Sequence, residues 1–248
     1  MNSTVVAMEQ VSFEYENGRQ VLHDISFCAK KGESIGIVGA NGVGKSTFLK
    51  LMVGLHLDFT GTITVNDLLV SKENLAAVRE KTGYIFQDSD NQLFMSKVYD
   101  DIAFAPRNYG LSEDEVQQRV KGVLAQLAIE HLSDKHIYKM SGGEKKMVSI
   151  ATILSMAPDL MLMDEPTIAL DPRNRRNLIR ILNGLTQTRI IATHDLDMVL
   201  DTCERTVLMS KGHIIKDGAT KEILTDKALL EQHNLELPLC MGGTHIAP

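Results

Sequence analysis

Alternating and continuous apolar positions divide the first part of the chain into strands. Val11, Phe13 and Tyr15 alternate with polar residues, which is the period of a half-buried strand, and Asn17 with Gly18 predicts a turn after it. Residues 21–29 and 61–65 are strand-like, and the apolar stretch at residues 35–38 predicts a buried strand. The pattern so far indicates a mixed sheet with one helix after residue 45, ending near residue 54.

Polar turns and helices replace this pattern between residues 87 and 158, and residues 88–109 are expected to be helical. Ser112 and Glu115 have the spacing of a capping box, and apolar residues then recur at helical spacing. Those apolar residues are Val116, Val120, Val123, Leu124 and Leu127. Ser141 and Glu144 have the same capping-box spacing at the start of another helix. We interpret this segment as a helical subdomain inserted at about residues 88–158.

The last part of the chain returns to buried strands that alternate with helices. Apolar runs predict strands at residues 160–163 and 189–193. Asp171 followed by Pro172 predicts a helix start, with its stop at Gly184. A hairpin follows, and then a helical tail at about residues 220–248, whose loose end contains Gly242 and Gly243. We therefore expect a single domain of α/β class over residues 1–248.

Composition and charge limit the function classes. The 248 residues are 44% hydrophobic, which is ordinary for a globular protein. The net charge of −6 provides no basic field that would attract nucleic acid, so we expect no nucleic-acid partner. No apolar run approaches the roughly 18 residues that span a bilayer, and the first residues lack a signal-peptide pattern. The scattered Cys28, Cys203 and Cys240 predict free thiols.

Residues 39–47 (GANGVGKST, the phosphate loop) follow the predicted strand at 35–38 and fit the pattern G-x-x-x-x-G-K-[ST]. Glycines let the backbone wrap closely around a polyphosphate, and a helix starting near Lys45 aims N–H groups at it. Lys45 is predicted to reach the β- and γ-phosphates, and Ser46 to bind Mg²⁺ through its hydroxyl. The predicted nucleotide-binding residues here are Gly39, Asn41, Gly42, Gly44, Lys45, Ser46 and Thr47. The alternative is a glycine-rich turn with a chance lysine.

Two carboxylates, Asp164 and Glu165, follow the predicted strand at 160–163. In this position Asp164 can bind Mg²⁺ through water, and Glu165 is the candidate general base. The alternative is two acids at the end of a strand before a proline turn. The motifs at residues 141–144 (SGGE) and 193–195 (THD) argue against coincidence.

With these motifs in this order, residues 6–219 resemble the nucleotide-binding subunit of an ATP-binding cassette (ABC) transporter. The resemblance implies ATP hydrolysis with ATP and Mg²⁺. It also implies a P-loop NTPase fold with a mixed core sheet, an antiparallel β subdomain and an inserted helical subdomain. By position, Tyr15 matches the aromatic residue that stacks on adenine. Gln87 matches the glutamine that contacts Mg²⁺ and the attacking water, and His194 the histidine that contacts the γ-phosphate.

The resemblance also implies two chains with two ATP molecules between them, as a homodimer or as a heterodimer with a related cassette. One group of residues matches the segment that caps the γ-phosphate of the opposite subunit: Ser141, Gly142, Gly143 and Glu144. Asp171 matches the loop that crosses the dimer interface. Glu144 replaces the usual glutamine, and we expect its carboxylate to turn back to the Ser141 N–H. Met147 and Ile168 stand where arginine and serine are common.

Three segments resemble the ATPases of energy-coupling-factor transporters, particularly cobalt or nickel importers: residues 88–94, 103–111 and 234–238. This implies a peripheral position on the cytoplasmic face of the cell membrane, a transmembrane coupling protein and a substrate-binding membrane subunit. A vitamin is the alternative cargo. Phe94, Met95, Phe104 and Tyr109 are predicted to offer an apolar groove to the coupling protein, and the alternative is that they form subdomain core.

Two other functions compete with a transport motor. One is a cassette ATPase that acts as a switch on nucleic acid or the ribosome, which the acidic charge and the single cassette disfavour. The other is a phosphate-loop kinase, which leaves the 141–144 motif and His194 unexplained. Salt-dependent retention on DNA or RNA would reveal the first.

Overall fold

A computed structural model describes residues 3–16 and 18–241. The chain divides into a first unit, Met1–Arg79 with Gln187–Pro248, and a second unit, Glu80–Thr186. The predicted organisation as one domain with a helical subdomain at about residues 88–158 stays a prediction. Asn17, Gly242 and Gly243, which were expected in a turn and in a loose tail, lie outside the described residues.

The strands, in chain order, are β1 (Thr4–Glu14), β2 (Gln20–Lys30), β3 (Ser34–Val38), β4 (Phe59–Val65), β5 (Leu68–Leu69), β6 (Thr82–Ile85), β7 (Leu160–Asp164), β8 (Thr188–Ala192), β9 (Arg205–Ser210) and β10 (His213–Ala219). The α-helices are α1 (Lys45–Met52), α2 (Leu75–Glu80), α3 (Val98–Asn108), α4 (Glu113–Leu127), α5 (Gly142–Leu154), α6 (Pro172–Gly184), α7 (Leu196–Thr202), α8 (Thr220–Leu224) and α9 (Lys227–Gln232).

An antiparallel sheet in the first unit has the order β2-β1-β4-β5. Its β1 strand buries Val11 and Phe13 and leaves the residues between and after them more exposed, as the sequence alternation predicts. Ala7 pairs with Cys28 of β2 on one side and with Thr64 of β4 on the other. This is the antiparallel β part expected from the sequence.

A second sheet in the first unit contains both parallel and antiparallel pairs. β9 pairs antiparallel with β10 and parallel with β3, which pairs parallel with β8. Every residue of β3 and β8 is buried, which agrees with the apolar runs at residues 35–38 and 190–192 within them. The carboxyl end of β3 leads directly into the phosphate loop and α1. The α/β class with a mixed sheet is therefore confirmed.

The second unit joins a parallel strand pair, β6 and β7, to a group of helices. Both predicted capping boxes are present, at Ser112 with Glu115 and at Ser141 with Glu144. α4 buries the five apolar residues that the helical spacing singles out. These helix starts therefore follow from local sequence alone.

Two expectations about helices were wrong. The helix expected from Thr220 is two short helices, because Asp226 accepts a hydrogen bond from the Leu229 N–H and starts α9 anew. The segment after Gln87 was expected to be helical through Tyr109. It contains a short 3₁₀ turn at Ser89–Asn91 and then loop as far as α3. Among the described residues, no helix has both the length and the apolar character needed to cross a membrane.

Candidate functional site

The phosphate loop adopts backbone angles that only glycine accepts readily. Gly44 has φ 108°, and a Cβ atom there would come within 3.0 Å of the Val21 carbonyl oxygen. At Gly39, with φ 155°, a Cβ atom would collide with the Met209 carbonyl oxygen. The close packing beneath the loop therefore requires glycine at both positions.

Lys45 lies inside this loop and is only 6% exposed. Its Nζ donates hydrogen bonds to the carbonyl oxygens of Gly39 at 2.7 Å and Ala40 at 3.2 Å. Ser46 follows half-buried, and Thr47 is buried. The loop therefore carries the ammonium group of Lys45 and the hydroxyls of Ser46 and Thr47, and its Asn41 and Gly42 are exposed. These donors suit a polyphosphate with Mg²⁺.

Tyr15 is tied to the same loop. A hydrogen bond of 2.9 Å links its hydroxyl to that of Thr47. The Tyr15 ring meets Phe13 edge-on at 4.9 Å and His56 edge-on at 5.4 Å. Burial, followed by the charge of Lys50, lowers the pKa of His56, which favours the neutral ring. Nothing in the sequence indicated this contact, because Tyr15 and His56 are far apart along the chain.

His194 also belongs to the first unit and follows β8, where it is exposed. The turn around it is fixed by hydrogen bonds of its neighbours. The Asp195 N–H donates to Thr193 Oγ1 at 3.0 Å, and the Asp195 carboxylate accepts from the Met198 N–H at 2.9 Å. Asp195 thereby caps α7 and holds the backbone that carries His194.

In the second unit, Asp164 and Glu165 lie at the carboxyl end of β7, and they are 3% and 6% exposed. The Tyr84 hydroxyl donates to Asp164 Oδ2 at 3.3 Å. Glu165 has φ 48°, in the left-handed region that a glutamate rarely adopts. The catalytic role predicted for Glu165 stays a prediction.

Gln87 is exposed and follows β6 in the same unit. Its backbone carbonyl accepts a 2.6 Å hydrogen bond from Lys146 Nζ, which also donates to the Phe86 carbonyl at 2.8 Å. Burial lowers the pKa of Lys146 to about 8, although Asp164, Asp88 and Glu165 oppose this effect. Sequence reasoning missed Lys146, because nothing in its local pattern indicates a contact 59 residues away.

The signature segment, residues 141–144, starts α5. The Ser141 N–H donates to Glu144 Oε2 at 2.8 Å, which confirms that the carboxylate turns back. Lys135 Nζ lies 2.7 Å from the other carboxylate oxygen. The Lys135 hydrogen bond, followed by that of Ser141, lowers the pKa of Glu144. Lys135 therefore offsets the charge of this carboxylate.

The backbone just before Asp171 lies close to the signature segment. A Cβ atom at Gly143 would lie 3.2 Å from the Ala169 carbonyl oxygen. Asp171 itself is exposed and caps α6, accepting hydrogen bonds of 2.8 Å from the N–H groups of Arg173 and Asn174. Its predicted place at a dimer interface stays a prediction.

The chain is similar to known proteins over most of its length. The model of the ABC transporter family matches residues 22–168. A putative ABC transporter ATP-binding protein of Geobacter sulfurreducens is 43% identical, with 98% of each chain covered. Another, from Gloeobacter violaceus, is 41% identical over 96% of this chain and 98% of that protein.

Solved structures resemble the chain over most of its length. The structure of cbiO1 from Clostridium perfringens, described as part of the ABC transporter complex cbiONQ, is 36% identical. It has a TM-score of 0.82 and covers 94% of this chain and 95% of that one. A dimeric ATP-binding cassette bound to ADP and Pi has a TM-score of 0.80 at 23% identity, covering 87% of this chain and 98% of that one. The latter likeness concerns the fold alone.

Proposed function

The chain belongs to the ABC transporter family as an ATP-hydrolysing subunit, and from this premise we propose that it is the motor of an energy-coupling-factor type importer. In this proposal it drives uptake of a micronutrient, cobalt or nickel ions, through separate membrane subunits. The observation that carries it is the similarity to cbiO1, a component of the cbiONQ complex, at 36% identity over 94% of the chain. A vitamin is the alternative cargo.

In the proposed site, Tyr15 stacks on adenine and the phosphate loop surrounds the phosphates, with Lys45 neutralising their charge. Ser46, Gln87 and Asp164 are the residues proposed to hold Mg²⁺, which when bound neutralises charge on the β- and γ-phosphates. The oxygens of a hydroxyl, an amide and a carboxylate are ligands that Mg²⁺ accepts.

Glu165 is proposed to accept the proton of the attacking water, and His194 to contact the γ-phosphate. The position of Glu165, buried directly after β7 and next to Asp164, supports its role as the base.

ABC ATPases work in pairs and together with membrane subunits. We propose that two copies of this chain, or one copy and a related cassette, bind ATP between them. The exposed Ser141 and Gly142 support this, since they begin a helix whose N-terminal N–H groups suit a phosphate. Mixing Glu165→Gln chains with Gly142→Asp chains should restore activity in the mixed pair. The proposed pairing is wrong if mixing restores no activity and no cross-link forms between the signature segment of one chain and the phosphate loop of the other.

An exposed aromatic surface supports docking to a membrane protein. Phe94, Phe104 and Tyr109 are 64%, 40% and 44% exposed, so the interpretation of these three as subdomain core was wrong. Phe94 and Phe104 meet edge-on at 4.7 Å. Asp101 Oδ2 accepts hydrogen bonds of 3.1 Å from the N–H groups of Phe94 and Met95, which fixes the loop that presents Phe94. We propose that a helix of the coupling protein packs on this surface.

Co-purification from detergent-solubilised membranes, with mass spectrometry of the partners, tests the proposal. Phe94→Asp should abolish association with the membrane and uptake, while ATP binding survives. Leu69→Asp is the matched control, because Leu69 is 47% exposed but lies on β5 of the first unit. A Phe94→Asp chain that still co-purifies and still supports uptake shows that docking occurs elsewhere. A wild-type complex that moves a vitamin and neither metal overturns the cargo but leaves the motor role.

A further inference from the structure

Lys146 is a lysine with almost no access to solvent. Only 1% of it is exposed, although it lies on α5 just after the signature segment. Lysine is almost never fully buried unless its ammonium is paired. Here the pairing is with two backbone carbonyl oxygens, those of Phe86 and Gln87, at 2.8 and 2.6 Å. Hydrogen bonds from a charged donor are stronger than neutral ones and offset the cost of burial.

Gln92 ties the same stretch of backbone to α5 from its other side. Its Oε1 accepts a 3.3 Å hydrogen bond from the Phe86 N–H. Its Nε2 donates to the Ser149 carbonyl at 2.6 Å and to Thr152 Oγ1 at 2.8 Å. The Phe86 carbonyl is therefore held by Lys146 of α5. The Phe86 N–H is held by Gln92, which is itself hydrogen-bonded to α5.

A third link joins the two segments nearer the surface. Lys145 Nζ lies 2.6 Å from Asp90 Oδ1. The Gln87 loop, defined as residues 86–92, is thus attached to α5 by Lys145, Lys146 and Gln92. Of these three side chains, Lys146 alone contacts the backbone of Gln87 in the described residues.

We propose that Lys146 is a positioning residue for Gln87. By fixing the carbonyl of Gln87 and that of the residue before it, the ammonium sets the direction in which the Gln87 side chain leaves the backbone. The same contacts make the Gln87 loop move with the signature segment, because both are attached to α5. This inference rests on the proposed role of Gln87 in ATP hydrolysis.

A loss of the ammonium removes this control. Methionine at position 146 would fill nearly the same volume but would leave two carbonyl oxygens without their donor, and buried unpaired carbonyls are costly. The loop would then shift toward water or toward other donors. A displacement of about 1 Å in a catalytic group reduces turnover by up to about 100-fold.

The test measures ATP hydrolysis and amide hydrogen exchange in the purified full chain. Lys146→Met should lower kcat by about 10- to 100-fold and change KM little, because Tyr15 and Lys45 are untouched. Peptides covering residues 86–92 should exchange faster, while those from β1 stay unchanged. Lys146→Arg, which keeps several N–H donors, should recover part of both properties.

Lys121→Met is the matched control, with the same change of charge and volume at an exposed position on α4, outside the three links between the Gln87 loop and α5. It should leave kcat near that of the wild type. If Lys146→Met does not fold, Lys146→Gln replaces it. The glutamine side chain is one bond shorter and cannot reach both carbonyls, so it should again lower kcat and speed exchange.

The proposal is wrong if the folded variant keeps kcat within about twofold of the wild type, or if exchange in residues 86–92 is unchanged. Gln87→Ala separates this failure from that of the proposed function. Slow hydrolysis in Gln87→Ala with normal hydrolysis in Lys146→Met overturns only the positioning role. Normal hydrolysis in Gln87→Ala overturns the role proposed for Gln87 itself.

Discussion

The hydroxyl of Tyr15 lies 2.9 Å from the hydroxyl of Thr47, the last residue of the phosphate loop. The two residues are 32 positions apart, yet this bond joins the side chain proposed to stack on adenine to the loop proposed to hold the phosphates. The two ends of a bound nucleotide would therefore meet parts of the protein that are fixed to each other.

Replacement of Tyr15 separates stacking from this bond. Tyr15→Ala should weaken ATP binding by about 5- to 10-fold, because an aromatic contact contributes about 1 kcal/mol. Tyr15→Phe keeps the ring and should lose less. Since stacking engages any base, GTP affinity should fall in parallel when both nucleotides are measured by calorimetry. A large change in ATP preference over GTP would contradict the assignment.

Lys45→Ala should weaken binding of the triphosphate itself by about 10- to 100-fold, the effect of losing a hydrogen bond from a charged group. Lys45 Nζ is already held in the loop by the Gly39 carbonyl, so its charge is in place before a nucleotide arrives. Calorimetry with ATP gives the measurement. Lys50→Ala, on the same helix but outside the loop, is the control and should bind normally. Equal ATP affinities of Lys45→Ala and Lys50→Ala would show that Lys45 does not bind the triphosphate.

Glu165→Gln should keep ATP binding and slow hydrolysis by about 10²- to 10⁴-fold, because an amide does not accept the proton of the attacking water. Glutamine has nearly the same shape, so the left-handed backbone at this position should persist. Single-turnover hydrolysis measures the effect. Asp159→Asn, which changes an exposed acid just before β7, should hydrolyse ATP at the normal rate. Near-normal turnover in Glu165→Gln would mean that another group acts as the base.

The stability of the signature segment should depend on pH through Glu144. Its folded-state pKa lies below the ordinary value of 4.5, so its contribution is complete above pH 4.5 and is lost as pH falls through the lower, folded value. Glu144→Gln should lower stability by about 0.5 kcal/mol at pH 7, the usual contribution of a partly exposed ion pair. Thermal unfolding at pH 7 and at pH 3 gives the comparison, and the difference between the chains should shrink at the lower pH.

Lys135 provides the control for this pH effect. In the Glu144→Gln background, Lys135→Met should have almost no further effect on thermal unfolding, because its partner is already neutral. An equal effect of Lys135→Met in both backgrounds would show that the ion pair contributes nothing.

Features encoded by neighbouring residues were predictable from the sequence. Ser112 with Glu115, and the buried run of β3, depend on contacts within a few residues, so spacing and periodicity were sufficient. The start of α9 at Asp226 was missed, although the residue type favours a helix cap there. The break between α8 and α9 was missed because the residues on both sides of it have a helical pattern.

Features that depend on distant contacts were not predictable. The position of Lys146 beneath the Gln87 backbone requires the packing of α5 against a loop 59 residues earlier, and lysine normally indicates an exposed position. The left-handed backbone of Glu165 could not be predicted from the sequence either, because glutamate has no preference for this conformation. The residue types of the proposed nucleotide site were recognised by motif, and their roles stay predictions until the variants are measured.

The edge-on pair of Phe94 and Phe104 has a consequence for how the cell must produce this subunit. Contiguous exposed aromatic side chains promote unwanted association when their partner is missing. Under the proposed docking on this pair, chains made in excess of the membrane protein should therefore be lost to aggregation or to proteolysis. The steady-state amount of the ATPase would then follow the synthesis rate of its membrane partner, and balanced expression of the two genes becomes a requirement for accumulation.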